Sequence, residues 1–142
     1  MVDIREQSPL AMAFVGDAVY SLLIREYLVT DKRHPINKLN KMSVNYVSAK
    51  GQFQALELIK EILTEEEQNI IRRGKNTSKA SVAKNASVEE YRASTGFECL
   101  LGYLKLTGQD ERIKYLVNYI LENLKFDNLF TNYIICDIIA KI

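Results

Sequence analysis

The chain is poor in the residues that build several kinds of active site. It has one histidine, His34, and two cysteines, Cys99 and Cys136, in 142 residues. A single histidine beside Pro35 in a charged stretch, with no companion cysteine cluster, gives little support to zinc chemistry or a histidine-based triad. Two cysteines set in apolar sequence are too few for a disulfide framework and read as buried thiols of a reducing compartment. An excess of one charge is also missing. Against 19 Lys and Arg stand 18 Asp and Glu, so the net charge is +1 and any polyanion-binding surface must be local. No apolar run reaches the roughly 20 residues a membrane-spanning helix needs, and the amino terminus, MVDIREQSPL, lacks the apolar core of a secretory signal. A cytoplasmic protein without membrane attachment is expected. No alternation of period two runs over a useful length, and no repeat or low-complexity tract is visible, which argues against a sheet-based fold. The expectation is a single all-α domain over residues 1–142, a compact multi-helix bundle large enough to bury a core without staples.

What the chain does have is helical spacing along its length. Ser8 and Pro9 supply an N-cap and a first helical residue for a helix to about Leu28. Within it, LAMAFVGDAVYSLLI, Leu10 to Ile24, is interrupted only by Gly16, Asp17 and Ser21, a pattern that predicts burial on nearly all sides. From Ile36 to Lys60 an apolar stripe of Leu39, Met42, Val44, Val47, Phe53, Leu56 and Ile59 continues, with Gly51 marking a kink or a break. Thr64 and Glu67 form a capping box for a helix through Arg72 and Arg73, which Gly74 is expected to stop. Ser87 and Glu90 form another, opening the helix that carries Glu98. Gly96 permits that helix either to run unbroken from Val88 to Leu106 or to restart near Thr95. An amphipathic helix from Asp110 to Lys125 follows, with Ile113, Leu116, Val117, Ile120, Leu121 and Leu124 on one face. Residues 126–142 keep helical spacing and are expected to be an extra C-terminal segment, covering the core or making an oligomer contact.

Two acids and one basic stretch carry the chemistry. Asp17 lies in the middle of the most apolar run, and burying a charge costs more than the roughly 2–7 kcal/mol of an unpaired neutral polar group. Either it sits solvated or paired at a rim, or it serves a purpose. The stretch GFECLLGYLKL, Gly96 to Leu106, has the same build, with Glu98 as its one carboxylate. Two helices that cross at glycines and each bring one acid would make an oxygen site suited to Mg²⁺ or Mn²⁺. Between Arg72 and Lys84 stand five cations, Arg72, Arg73, Lys75, Lys79 and Lys84, with Asn76 and several hydroxyls and no acid. Read as a loop, this is either a solvated connection or a donor set for phosphate and ribose oxygens. Its lack of aromatics favours a duplex backbone over stacked single strands.

FVGDAVY and STGFECLLGYL resemble the two acidic motifs of the ribonuclease III catalytic domain. KLNKMSVNYVSAKGQ, IIRRGKN and KNASVEEYRASTGFE are similar to its small bacterial branch, the Mini-III ribonucleases. The resemblance runs in order from about Pro9 to Leu106. It implies a ribonuclease III-like helical fold and a metal-dependent endoribonuclease that hydrolyses double-stranded RNA as a symmetric homodimer. It also implies a divalent ion, usually Mg²⁺, in each subunit, with Asp17 and Glu98 as catalytic and metal-binding residues. Maturation of the large ribosomal (23S) RNA precursor is the substrate choice it suggests. The chain departs from the larger ribonuclease III pattern at Leu10 and Thr95, where that pattern has acids, so the number of metals stays open. No double-stranded RNA-binding domain follows, so the grip on RNA is expected from Arg72, Arg73, Lys75, Asn76, Lys79 and Lys84, with Lys38 and Lys41 as lesser candidates. An apolar first helix also predicts a dimer interface, on the order of 2,000 Å² or more. The rival readings are a non-catalytic duplex-binding module and a helical interaction protein with an acidic partner.

Overall fold

The structure, a computed structural model, describes residues 1–77 and 87–124. They form helices α1 (Pro9–Asp31), α2 (Ile36–Val47), α3 (Ala49–Ile59), α4 (Glu65–Thr77), α5 (Val88–Leu106) and α6 (Asp110–Asn123), with short 3₁₀ turns at Ile4–Glu6 and Lys60–Ile62. Among the described residues there is no strand, and no helix is long and apolar enough to cross a membrane. The expected all-α class holds. The expected extra segment, residues 126–142, lies outside the described residues.

The bundle is built around α5, which packs against α1, α3, α4 and α6. Its sequence explains that central place: from Ala93 to Leu104 all but Ser94 and Glu98 are buried. Gly96 and Gly102 sit where neighbouring helices come closest. The core joins Phe97, Leu100, Leu101 and Leu104 of α5 to Met12, Tyr20 and Ile24 of α1, Ile59 of α3 and Leu116 and Ile120 of α6. Tyr20 meets Phe97 edge-on, ring centroids 4.9 Å apart, a geometry that adds about 0.5–1.5 kcal/mol beyond the area buried. The helix α5 is unbroken, which resolves the alternative left open at Thr95. It ends as its sequence directs, with Gly108 at φ +75° and Gln109 N–H donating to the Leu104 carbonyl at 2.8 Å.

Both capping signals fall where the pattern puts them. Thr64 Oγ1 accepts from Glu67 N–H at 3.1 Å and Glu67 Oε1 from Thr64 N–H at 2.8 Å, while Ser87 Oγ accepts from Glu90 N–H at 3.1 Å. Glu67 is then tied to Arg112 of α6, whose Nη2 and Nε donate to the two carboxylate oxygens at 2.8 and 2.9 Å. Ser8 holds the N-cap position of α1, but its hydroxyl makes no capping bond.

Three expectations need correction. The helix expected to stop at Gly74 runs on to Thr77. Gly74 is a crossing point instead, where a β-carbon would lie 2.9 Å from both Cys99 Cβ and Gly96 Cα of α5. The break expected at Gly51 falls at Ser48, whose hydroxyl accepts from Gly51 N–H at 3.1 Å and starts α3. Gly51 lies in the first turn of α3, pressed against the Asn45 and Tyr46 carbonyls. The helix α1 is not buried on nearly all sides: Leu10, Phe14, Ala18 and Leu22, four residues apart and so on one face, are exposed, Phe14 at 83%.

Candidate functional site

The helices α1 and α5 cross at two glycines with their backbones in close approach. A β-carbon at Gly16 would lie 1.7 Å from the Glu98 carbonyl oxygen, and one at Gly102 would lie 1.7 Å from the Met12 carbonyl oxygen. Only two glycines allow the backbones to touch in this way. The crossing sets Asp17, the residue after Gly16, against Glu98, the residue whose carbonyl Gly16 faces. Asp17 belongs to the exposed side of α1, so the cost of burying it does not arise. The rim position considered for it is the one observed, although among the described residues no cation pairs with it.

Glu98 is half-buried, and its environment is unusual for a carboxylate. Burial, reinforced by the nearby charge of Asp17, pushes its pKa up to about 7 against the opposing hydrogen bonds of Gln52 and Ser94. Gln52 Nε2 donates to Glu98 Oε1 at 3.0 Å and to the Val47 carbonyl at 3.0 Å. Ser94 Oγ donates to Gln52 Oε1 at 3.0 Å, with a longer contact of 3.5 Å to Glu98 Oε1. The two bonds that reach the carboxylate both fall on Oε1, and among the described residues none is made to Oε2. Gln52 was missed in the sequence because a polar residue in an apolar stripe reads as solvent-facing. In the fold it is 1% exposed.

Leu10 and Thr95 add no acid. Leu10 is exposed, and Thr95 is buried with its hydroxyl donating to the Tyr91 carbonyl at 3.2 Å. Among the described residues no cluster of three or more His, Cys, Asp and Glu exists, so the carboxylates brought together here are the pair Asp17 and Glu98. That set suits a hard divalent cation: two carboxylates that repel each other beside solvent, neither in an ion pair among the described residues. A positive charge between them would turn the repulsion into attraction.

The basic residues are placed in part differently from expectation. Arg72 and Arg73 lie in α4 as expected, Lys75 and Asn76 belong to its last turn and not to a loop, and Lys79 and Lys84 lie outside the described residues. Arg72 is exposed and donates to Asn69; Arg73 Nη2 reaches the Gln7 carbonyl at 3.5 Å. Arg92 of α5, which the reading of the basic stretch did not include, donates to the Lys75 carbonyl at 3.1 Å and to Asn76 Oδ1 at 3.5 Å. It joins the basic end of α4 to the helix of Glu98, six residues away or roughly 9 Å along the axis. None of these contacts runs to Asp17 or Glu98 themselves. Lys41 is exposed on α2, and Lys38 is half-buried there.

The chain is similar to known proteins over most of its length. Residues 10–109 match the ribonuclease III domain. The chain is 49% identical over 110 residues to Mini-ribonuclease 3 of Thermoanaerobacter sp. (strain X514), covering 78% of each chain. It is 44% identical over 126 residues to Mini-ribonuclease 3 of Enterococcus faecalis, covering 87% of this chain and 96% of that one. An X-ray structure of a protein from Fusobacterium nucleatum superposes with a TM-score of 0.77 at 34% identity, over 86% of this chain and 98% of that one.

Proposed function

The chain belongs to the ribonuclease III family, in its Mini-ribonuclease 3 branch, and on that premise we propose that it is a Mg²⁺-dependent endoribonuclease that hydrolyses double-stranded RNA. The observation that carries the reading is the approach of Asp17 and Glu98 across the crossing at Gly16 and Gly102. Asp17 and the Oε2 oxygen of Glu98 would hold the cation, and Mn²⁺ could replace Mg²⁺ in such an all-oxygen set. When bound, the ion supplies Lewis acidity toward a scissile phosphate and makes hydroxide available from water near neutral pH.

The chain's own residues supply the rest. Glu98 would serve as a ligand in its carboxylate form. Gln52 and Ser94 bond to the charged form of its Oε1 oxygen. His34 stands in the connection between α1 and α2. Arg72, Arg73, Lys75 and Asn76, continued by Lys79 and Lys84, would meet duplex phosphates beside the acids and position the strand without reading its sequence. The substrate we assign is the 23S ribosomal RNA precursor, and the compartment the cytoplasm.

A homodimer is part of the same proposal. The stripe of Leu10, Phe14, Ala18 and Leu22 is the kind of apolar face a second copy would cover, and Asp17 borders it. Phe14→Asp should turn a dimer at micromolar concentration into a monomer by light scattering, and a wild type that is already monomeric would remove this part of the proposal. The activity itself is tested with a long RNA duplex. Wild type should cut only with Mg²⁺, and Asp17→Asn and Glu98→Gln should bind the duplex without cutting it. Variants that cut as wild type does would make the acids structural.

A further inference from the structure

Gln52 is a costly residue to bury, and its place in α3 needs a reason beyond volume. An amide in the interior loses several kcal/mol unless its groups are hydrogen-bonded. Here nitrogen and oxygen are both used, and the partners dictate which way the amide faces. The Val47 carbonyl can only accept, so Nε2 must point to it. The same nitrogen's second proton then meets Glu98 Oε1, and Oε1 of the amide takes the Ser94 hydroxyl. Val47 ends α2, so its carbonyl has lost its intrahelical partner and is open to this bond. Three helices thus fix one amide, and the amide fixes one oxygen of one acid.

We propose that Gln52 is a positioning residue for the acid pair: it holds Glu98 by Oε1 so that Oε2 is the oxygen presented to a divalent cation shared with Asp17. The inference rests on the metal-site reading above. A leucine or methionine would fill the same space but leave the Val47 carbonyl and Glu98 Oε1 without this donor, so packing alone does not account for the amide. Ser94 takes a supporting part by occupying the amide oxygen and bracing the same carboxylate oxygen. Partners of this kind, one bond removed from a metal, typically set affinity or activity by 10- to 100-fold.

The test uses the full chain as wild type, Gln52→Met, Ser94→Ala and Glu98→Gln. Methionine keeps the length of the side chain and removes its donors and acceptor. Mn²⁺ binding is followed by electron paramagnetic resonance on the RNA-free protein. Thermal melting, duplex affinity in chelator, and cleavage across a Mg²⁺ titration are followed beside it. Gln52→Met should weaken Mn²⁺ binding about 10-fold or more and raise the Mg²⁺ needed for half-maximal cleavage, with duplex affinity unchanged. Ser94→Ala should move both in the same direction by less. In a Glu98→Gln background, Gln52→Met should cause no further loss of Mn²⁺ binding. The inference is overturned if Gln52→Met and Ser94→Ala bind Mn²⁺ and cut as wild type does. It is equally overturned if Gln52→Met weakens binding as much without Glu98 as with it. Should Gln52→Met not fold, Ser94→Ala decides on the same readouts. A wild type that neither binds Mn²⁺ nor cuts removes the metal site and this inference with it. A wild type that does both beside unaffected variants removes the inference alone.

Discussion

Glu67 and Glu98 are two glutamates drawn into one helical domain, and they are treated in opposite ways. Glu67 is 4% exposed and fully answered: Thr64 bonds to it at the start of α4, and Arg112 meets both carboxylate oxygens. Burial alone would raise its pKa, but Arg112 and Thr64 outweigh that and hold it below the usual carboxylate range. Glu98 is less buried yet worse off. Its partners are an uncharged amide and a hydroxyl, and the charge it feels is that of another acid. An acid paired with its own cation is finished as a structural element. An acid set against a second acid has no such answer among the described residues, and in the function proposed above a divalent cation would supply it.

The contrast can be broken from either side. The largest effect belongs to Arg112→Ala, which strands a buried carboxylate and should cost about 3–5 kcal/mol in urea unfolding while leaving kcat per folded molecule unchanged. At the other acid the sign reverses. A carboxylate whose pKa stands at about 7 in the fold and at its ordinary 4.5 in the unfolded chain binds its proton more tightly when folded. Without divalent ions, stability should therefore fall as pH rises from 4.5 through about 7, by up to about 3 kcal/mol. Glu98→Gln should flatten that slope, as seen in melting temperature against pH. Glu67 behaves conversely, adding stability above the ordinary carboxylate value that is lost as pH falls through its lowered one. The smallest effect is that of Thr64→Ala, which removes one capping bond to the Glu67 N–H at a cost of about 1 kcal/mol, measured by urea titration.

Much of this was readable from residue order alone, and the failures have a common cause. The capping boxes at Thr64 and Ser87, the stripe of α6 and the two acids are local or periodic features, and the fold leaves them where the pattern puts them. Gly74 is ambiguous because a glycine that stops a helix and one that lets a second helix approach look the same in sequence. Only Cys99 and Gly96 across the interface decide between them. The break between α2 and α3 was placed at Gly51 for the same reason, while Ser48 carried the real N-cap signal. Apolar spacing in α1 indicated that every face would be covered but not by what, and this chain leaves the face of Phe14 uncovered. Lys75 and Asn76 read as loop residues only where Gly74 reads as a stop. Gln52 was illegible because its partners, Val47 and Ser94, come from two other elements and its purpose lies in a third residue, Glu98.

The most direct measurement is the melting temperature of the RNA-free protein at mildly alkaline pH, with and without millimolar Mn²⁺, for wild type, Asp17→Asn and Glu98→Gln. If the two acids form an incomplete pair that a divalent cation completes, Mn²⁺ raises the melting temperature of wild type and leaves both variants where they were. A wild type indifferent to Mn²⁺, or variants that respond as strongly as it does, would contradict the assignment of Asp17 and Glu98 as a metal site.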